Sequence, residues 1–465
     1  MGKELQESAG VNKRNIKSEY GNNPQPYSGT SGRRRKKREP EEALVGVMHK
    51  TVKHFFPDLN RWMKKMNDPR NTSRCVYSME HLAWDAILMF LLHHGSRMQH
   101  NKETEVREFA ENIKALSGQH NVETVAHSDT FTTCFEHCSA SCFKSLLSKM
   151  ISRLIRMRVL DSSRFYGYFT VVIDGTGVHS FDKEPWPGCT YKTINGKKKY
   201  YAYSVDAKLV TPSGLALTIA TVCLENQDEF NKQDCEKKAF YRLIDEIMVY
   251  YPRTKFCFLL DGLFADRNVI ERIEKTGCRY MIVFKSGSMP ERYREALTLA
   301  KMQSENRKTV KQAGSVHKIF WAEGLDLGNC STNVLFCKGN EKGKTTKNVW
   351  LTNIPIDIHN AYQLTRGGRL RWKIENEGFK IQKRNGYEME HMYSRHPTAS
   401  RILYILLQIA HIINQLIEDG NLIRNFKASY GTMKNLVKRM SESFRNDIID
   451  NKCNMPGQIR LLVPT

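Results

Sequence analysis

The sequence predicts an α/β fold: a core of alternating strands and helices, interrupted by a β-rich insertion and preceded by an all-helical N-terminal domain. Three observations carry this. Apolar residues before position 165 recur at helical spacing, as in Leu44 to Phe56, His81 to Leu92 and Phe143 to Leu160. From Tyr166 the pattern changes to short apolar runs, two of which end in an acid. A strand-rich, irregular stretch then separates those acids from a third, Glu375, in a segment that turns helical again.

Taken in order, residues 1–40 are polar and rich in Gly, Ser, Asn and Lys, and read as a disordered basic tail. Its run Arg33-Arg34-Arg35-Lys36-Lys37-Arg38 is either a DNA-backbone arm or a solvated tail. Residues 41–165 form the helical domain, for DNA binding or structure. In it Cys134, Cys138 and Cys142 recur every four residues around His137, which suits one helix face better than the CxxC pairs of metal sites. Residues 166–285 make the first part of the core. Phe169–Ile173 is a short strand, and Tyr200–Val210 and Leu215–Leu224 form a hairpin through Thr211-Pro212-Ser213-Gly214. A helix over Asp234 to Tyr250, a strand Phe256–Leu260, a helix capped near Asp266 and a strand Tyr280–Phe284 follow. Residues 286–357 are the insertion, with strands at Val316–Trp321, Asn333–Cys337 and Val349–Leu351. Residues 358–425 return to the core with Glu375 and a helix over Ala399 to Glu418, and 426–465 are a helical or irregular tail.

Composition narrows the function classes. The 465 residues are 40% hydrophobic and 26% charged, with a net charge of +23. Such a field favours a polyanion, either nucleic acid or an anionic membrane surface. The N-terminus lacks the apolar stretch of a signal peptide and the Ser or Thr that myristoylation needs. The most apolar stretch, Ile402 to Ile417, contains Gln408, His411 and Asn414 and is too short to span a bilayer, so it reads as a core helix. Twelve scattered cysteines fit reduced thiols in a cytosolic compartment.

The candidate site rests on three carboxylates. Asp174 ends Phe169-Thr170-Val171-Val172-Ile173, and Asp261 ends Phe256-Cys257-Phe258-Leu259-Leu260. An acid at the end of a buried strand is costly unless it is used, and ligands gather at the carboxyl ends of such strands. An aspartyl-nucleophile phosphatase needs a second Asp two residues away, where Val172 and Thr176 stand. Glu375 lies among Arg366, Arg369, Arg371, Lys373, Lys380, Lys383 and Arg384, interleaved with Trp372, Ile374 and Phe379. On a helix Arg371 and Glu375 share one face. A carboxylate at a metal with cations against phosphates accounts for this mixture, and converging carboxylates suit Mg²⁺.

The segment Arg371-Trp372-Lys373-Ile374-Glu375-Asn376-Glu377-Gly378-Phe379, followed by Gly386-Tyr387-Glu388-Met389-Glu390-His391, resembles the C-terminal signature of bacterial insertion-sequence DDE transposases. Lys232-Gln233-Asp234-Cys235-Glu236 and Val172-Ile173-Asp174-Gly175-Thr176 fit the same family. The resemblance implies a ribonuclease-H-like catalytic core and makes Asp174, Asp261 and Glu375 the ligands of two Mg²⁺ ions, with Mn²⁺ as a substitute. It implies phosphate contacts from Arg371, Lys380 and Lys383. Arg371 and Glu375 match the middle pair of a Tyr-Arg-Glu-Lys signature whose outer positions hold Gly368 and Gln382 here. The implied partners are DNA, as terminal inverted repeats and target, and a second copy in a homodimer, with no membrane. The implied location is cytoplasmic, at the nucleoid. Two alternatives stay open: a catalytically silent, transposase-derived DNA-binding protein, and a ribonuclease-H-like nuclease without strand transfer.

Overall fold

The computed structural model describes residues 43–226, 232–312, 314–341, 343–424, 427–450 and 459–462. The basic run at 33–38 lies outside them. Seven helices come first: α1 (Leu44–Phe55), α2 (Leu59–Lys64), α3 (Met79–Leu91), α4 (Arg97–Glu103), α5 (Arg107–Ser117), α6 (Ser128–Glu136) and α7 (Ala140–Arg156). Local chemistry sets their ends. Ser78 and Ser96 cap α3 and α4 by accepting from the His81 and Gln99 amides, and Gly118 closes α5 in the left-handed region. All of α3 except Glu80 is buried, as befits a helix that is apolar nearly all round.

Then come β1 (Phe169–Phe181), β2 (Thr190–Ile194), β3 (Lys197–Val210), β4 (Ala216–Cys223), α8 (Glu236–Tyr250), β5 (Phe256–Leu260), α9 (Arg267–Glu274) and β6 (Arg279–Val283). Next are α10 (Pro290–Met302), β7 (Arg307–Gln312), β8 (Ser315–Asp326), β9 (Ser331–Glu341) and β10 (Lys344–Thr352). The chain ends with α11 (Ala361–Arg369), α12 (Lys380–Arg384), α13 (Pro397–Glu418), α14 (Lys427–Tyr430) and α15 (Met433–Asn446).

All ten strands form one sheet, ordered β2-β3-β1-β5-β6-β10-β9-β8-β7, with β4 following β2 along the edge of β3 that faces away from β1. β1 is antiparallel to β3 and parallel to β5, and β5 is parallel to β6. The strands β7–β10 continue this sheet through the antiparallel β10–β6 pair. The expected hairpin is β3–β4, with Val210 opposite Ala216. Asp266 caps α9 through the Asn268 amide.

Strand residues alternate between two cores. Val171, Ile173, Phe256, Phe258 and Leu260 join the larger one, which also holds α3, α7, α8 and α13. Val172, Cys257 and Leu259 join Met281, Trp350, Leu364, Ile374 and Phe379 on the opposite face. The helix α13 is long and apolar enough to cross a membrane by composition, but 89% of its most apolar window is buried inside the protein, as a core helix requires. It packs on α1, α3, α6 and α7 as well as on β4.

The sequence reading differs from the structure at several places, and in residues 286–357 it has strands only, with no counterpart of α10. It ends the first strand at Ile173, whereas β1 continues to Phe181, and it has no counterpart of β2 or β7. These segments are polar and exposed, so no apolar alternation marks them. It also puts Glu375 on an α-helix. Here α11 ends at Arg369, a 3₁₀ turn spans Leu370–Trp372 and a π-helix spans Ile374–Phe379 before α12.

Candidate active site

The parallel register of β1 and β5 runs through Val172 opposite Leu259, so two residues on it sets Asp174 beside Asp261. Adjacent strands are about 4.8 Å apart, which makes the two carboxylates neighbours. Each is fixed by a backbone amide. Asp174 Oδ1 accepts from the Gly175 N–H at 2.9 Å and Asp261 Oδ1 from the Leu263 N–H at 2.8 Å. Neither Oδ2 accepts a hydrogen bond among the described residues, and Arg371 Nη1 stands 3.9 Å from Asp174 Oδ2.

Burial, with the charges of Asp261 and Glu236 added, pushes the Asp174 carboxyl up to about 6, against the Gly175 amide and Arg371. A buried carboxylate beside a second one is under-compensated by a single arginine at this distance. Hard, fixed oxygen donors with an excess of negative charge fit a divalent cation such as Mg²⁺.

Arg371 sits in the 3₁₀ turn, half-buried, with its guanidinium 4.4 Å from the centroid of the exposed Trp372 ring. Glu375 is exposed on the π-helix and makes no ion pair among the described residues. Among those residues no three His, Cys, Asp or Glu side chains lie close enough together to hold a metal ion. The register of β1 and β5 brings the two aspartates together, and Glu375 does not join them in such a group.

What seats the Glu375 segment is Lys208 on β3. Its ammonium is buried and donates to Thr218 Oγ1 at 2.6 Å and Gln408 Oε1 at 2.8 Å, and pairs with Asp206 at 3.1 Å. The Lys208 stem lies against Gly378, where an added Cβ would be 3.0 Å from Cδ, and its ammonium is 5.2 Å from the Phe379 ring centroid. The glycine lets the π-helix press onto this lysine.

The remaining cations divide. Lys380 is exposed, and Lys383 pairs with Glu390 at 3.0 Å. Gln382, at the family's lysine position, is buried and donates to Gln408 at 2.7 Å, with His411 Nδ1 at 2.9 Å. A Cβ at Gly368, the family's tyrosine position, would meet the Trp350 ring at 2.7 Å, so an aromatic from β10 already fills that space.

Two further groups belong to this edge and carry no signal in their spacing. Tyr203 on β3 donates to Glu236 Oε1 at 2.5 Å, and both lie within electrostatic reach of Asp174. Pairing of β1 with β3 brings Tyr203 there, and Glu236 comes from the first turn of α8.

The site is a pair of neighbouring carboxylates on a mixed α/β sheet, with an arginine facing one of them. A family model described as "Transposase DDE domain" matches residues 167–413. That stretch is more than half of the chain and contains both aspartates, Arg371 and Glu375, and the protein belongs to this family. No curated protein matches the chain.

Proposed function

We propose that the protein is a DNA transposase that cleaves at the ends of its element and joins the freed 3′-OH to target DNA. The observation that carries this is the level pairing of Asp174 and Asp261 on adjacent parallel strands within the family match. The order β4-β3-β1-β5-β6 supports a ribonuclease-H-like core, since its first three strands alternate in direction and its last three run parallel.

In this reading Asp174, Asp261 and Glu375 would together hold two Mg²⁺ ions, for which Mn²⁺ would substitute. When bound, such a pair supplies Lewis acidity to the attacking and leaving oxygens of an in-line displacement. The protein's own work is positional. The amides of Gly175 and Leu263 fix the two carboxylates in advance. Arg371, stiffened by Trp372, offers a planar donor pair to a phosphate beside the scissile bond. Lys380 and Lys383 extend that contact along the backbone, Lys383 by exchanging Glu390 for phosphate. The helices of residues 41–165 are assigned to holding DNA, and two copies to pairing two ends at the nucleoid.

The test is nicking of a duplex carrying the inverted repeats that flank this gene, with and without Mg²⁺. Asp174→Asn, Asp261→Asn and Glu375→Gln are each expected to lower the rate by roughly 10³-fold or more, the scale of removing a core catalytic group, while DNA affinity is kept. Unchanged nicking by any one variant removes that residue from the site. Nicking without joining in a strand-transfer assay would leave a nuclease.

A further inference from the structure

Past the level of Asp174, β1 and β3 do not stop. β3 runs on from Asp206, the partner of Asp174, to Lys197, and β2 pairs with its far end. The turn Asn195-Gly196 closes this ribbon with both residues in the left-handed region, at φ 49° and 77°. From Asp206 to Lys198 the arm extends about 26 Å at 3.3 Å per residue.

Its charge is one-sided. No Asp or Glu occurs from Pro185 to Val205, while Lys192, Lys197, Lys198 and Lys199 crowd the tip, the first three exposed and Lys199 half-buried, all without ion pairs among the described residues. Lys192 stands directly opposite Lys199, and Lys197 lies on the same face two residues further along β3. Like charges directly opposite on a sheet destabilise the pair. Edge strands do use lysine to repel other strands, but that role needs one charge, not four of one sign. The ammonium groups of Lys192 and Lys198 are 5.7 Å and 4.4 Å from the Tyr201 and Tyr191 ring centroids, so the stems are braced. A braced, uncompensated row of cations is relieved by a polyanion, and a two-stranded ribbon has the width of a B-DNA major groove.

We propose that the β2–β3 ribbon grips the backbone of duplex DNA flanking the cleaved bond, roughly eight base pairs from it at 3.4 Å per step. This rests on the reading of the protein as acting on DNA. Duplex DNA is favoured over an anionic membrane because the ribbon springs from the strands that carry the candidate active site.

The experiment compares wild type with the variant carrying Lys192→Gln, Lys197→Gln, Lys198→Gln and Lys199→Gln. Binding to a labelled duplex of ~40 base pairs, about four helical turns, is followed as salt is raised. The expected result is a salt slope smaller by roughly 2–4 and an affinity lower by about 10²–10⁴-fold near 0.1 M salt. The corresponding Lys→Arg variant should keep the wild-type slope. Lys192, Lys197 and Lys198 are exposed, Lys199 is half-buried, and none is in an ion pair among the described residues, so the variant's circular dichroism should match wild type. An unchanged slope while wild type binds DNA overturns the ribbon proposal alone. Loss of self-association, or of binding to anionic phospholipid vesicles, with the DNA slope intact overturns it too. A wild-type protein that binds no duplex at any salt overturns both this and the transposase reading.

Discussion

Asp174 stores the tension of the site. Its carboxyl is moved from 3.8 up to about 6, first by burial and then by Asp261 and Glu236. The folded state therefore holds a proton that the unfolded chain releases between these values. Stability is greatest below the unfolded value and is lost as pH rises through about 6. The cost at neutral pH is about 3 kcal/mol. Asp174→Asn keeps the acceptor for the Gly175 amide and removes the charge. It should raise the melting temperature of metal-free protein by several degrees at pH 8 and leave it unchanged at pH 4. Mg²⁺ should stabilise wild type at pH 8 and not the variant. Equal melting curves at both pH values would show that the carboxylate is not strained by its surroundings.

At the scale of elements, the π-helix from Ile374 to Phe379 is held by what lies beneath it. Lys208 and Asp206 are both fully buried, and Asp206 also accepts from Tyr404 at 2.8 Å and Thr221 at 2.7 Å. Lys208→Met strands the aspartate and should cost about 3–5 kcal/mol in urea unfolding. Adding Asp206→Leu should recover much of that loss. A double variant as unstable as the single one would mean that the pair itself, not the orphaned charge, matters. Gly378→Val forces a branched side chain against the Lys208 stem and lifts the Glu375 turn. Nicking should fall at least ~10-fold with DNA affinity kept, because orientation at the reacting centre is what is lost. Normal nicking would show that the turn tolerates displacement.

For the whole molecule, the N-terminal helices and the C-terminal helices are one packing unit. Asn112 on α5 donates to the carbonyls of Phe444 and Asp447 and accepts from the Ile449 amide, all near the end of α15. A buried chain runs from Asp85 on α3 through His100 and His94 to Ser441 on α15, at 2.8, 2.7 and 3.3 Å. Burial pushes His93 and His100 down to about 3 and His94 well below its usual value. These imidazoles stay neutral when folded and take up protons when unfolded. Their contribution is complete above about 6.5 and is lost as pH falls below it. Unfolding free energy should drop by about 1.4 kcal/mol per pH unit for each such histidine. Urea titrations at pH 7.5, 6 and 5 measure the slope, and a flat profile would mean that these rings are solvated. Two opposing slopes run through this range: that of Asp174, removed by making the comparison in Asp174→Asn, and that of Asp85, whose carboxyl burial pushes up to about 8 and which offsets one histidine.

Legibility followed the hydrophobic pattern. Asp174 and Asp261 are readable because five buried strand residues precede each acid, although β1 runs on past Asp174. The β3–β4 hairpin is readable from Thr211-Pro212-Ser213-Gly214. The β2–β3 ribbon was missed although Asn195-Gly196 is a strong hairpin signal, since lysines flank it instead of alternating apolar residues. Cys134, Cys138 and Cys142, expected on one helix face, lie instead on α6, in the turn after it and on α7, because the helix breaks at His137; the Cys134 and Cys138 sulfurs are buried 3.9 Å apart.

Local pattern alone marks which acids follow a buried apolar run, and hence the chemistry available, because burial periodicity and an acid at its boundary are local properties. Only the tertiary structure decided that Asp174 and Asp261 sit level, that Trp350 occupies the place beside Gly368, and that Lys208 sets the turn carrying Glu375. Those depend on strand register and on close approach between segments far apart along the chain, which no local pattern encodes.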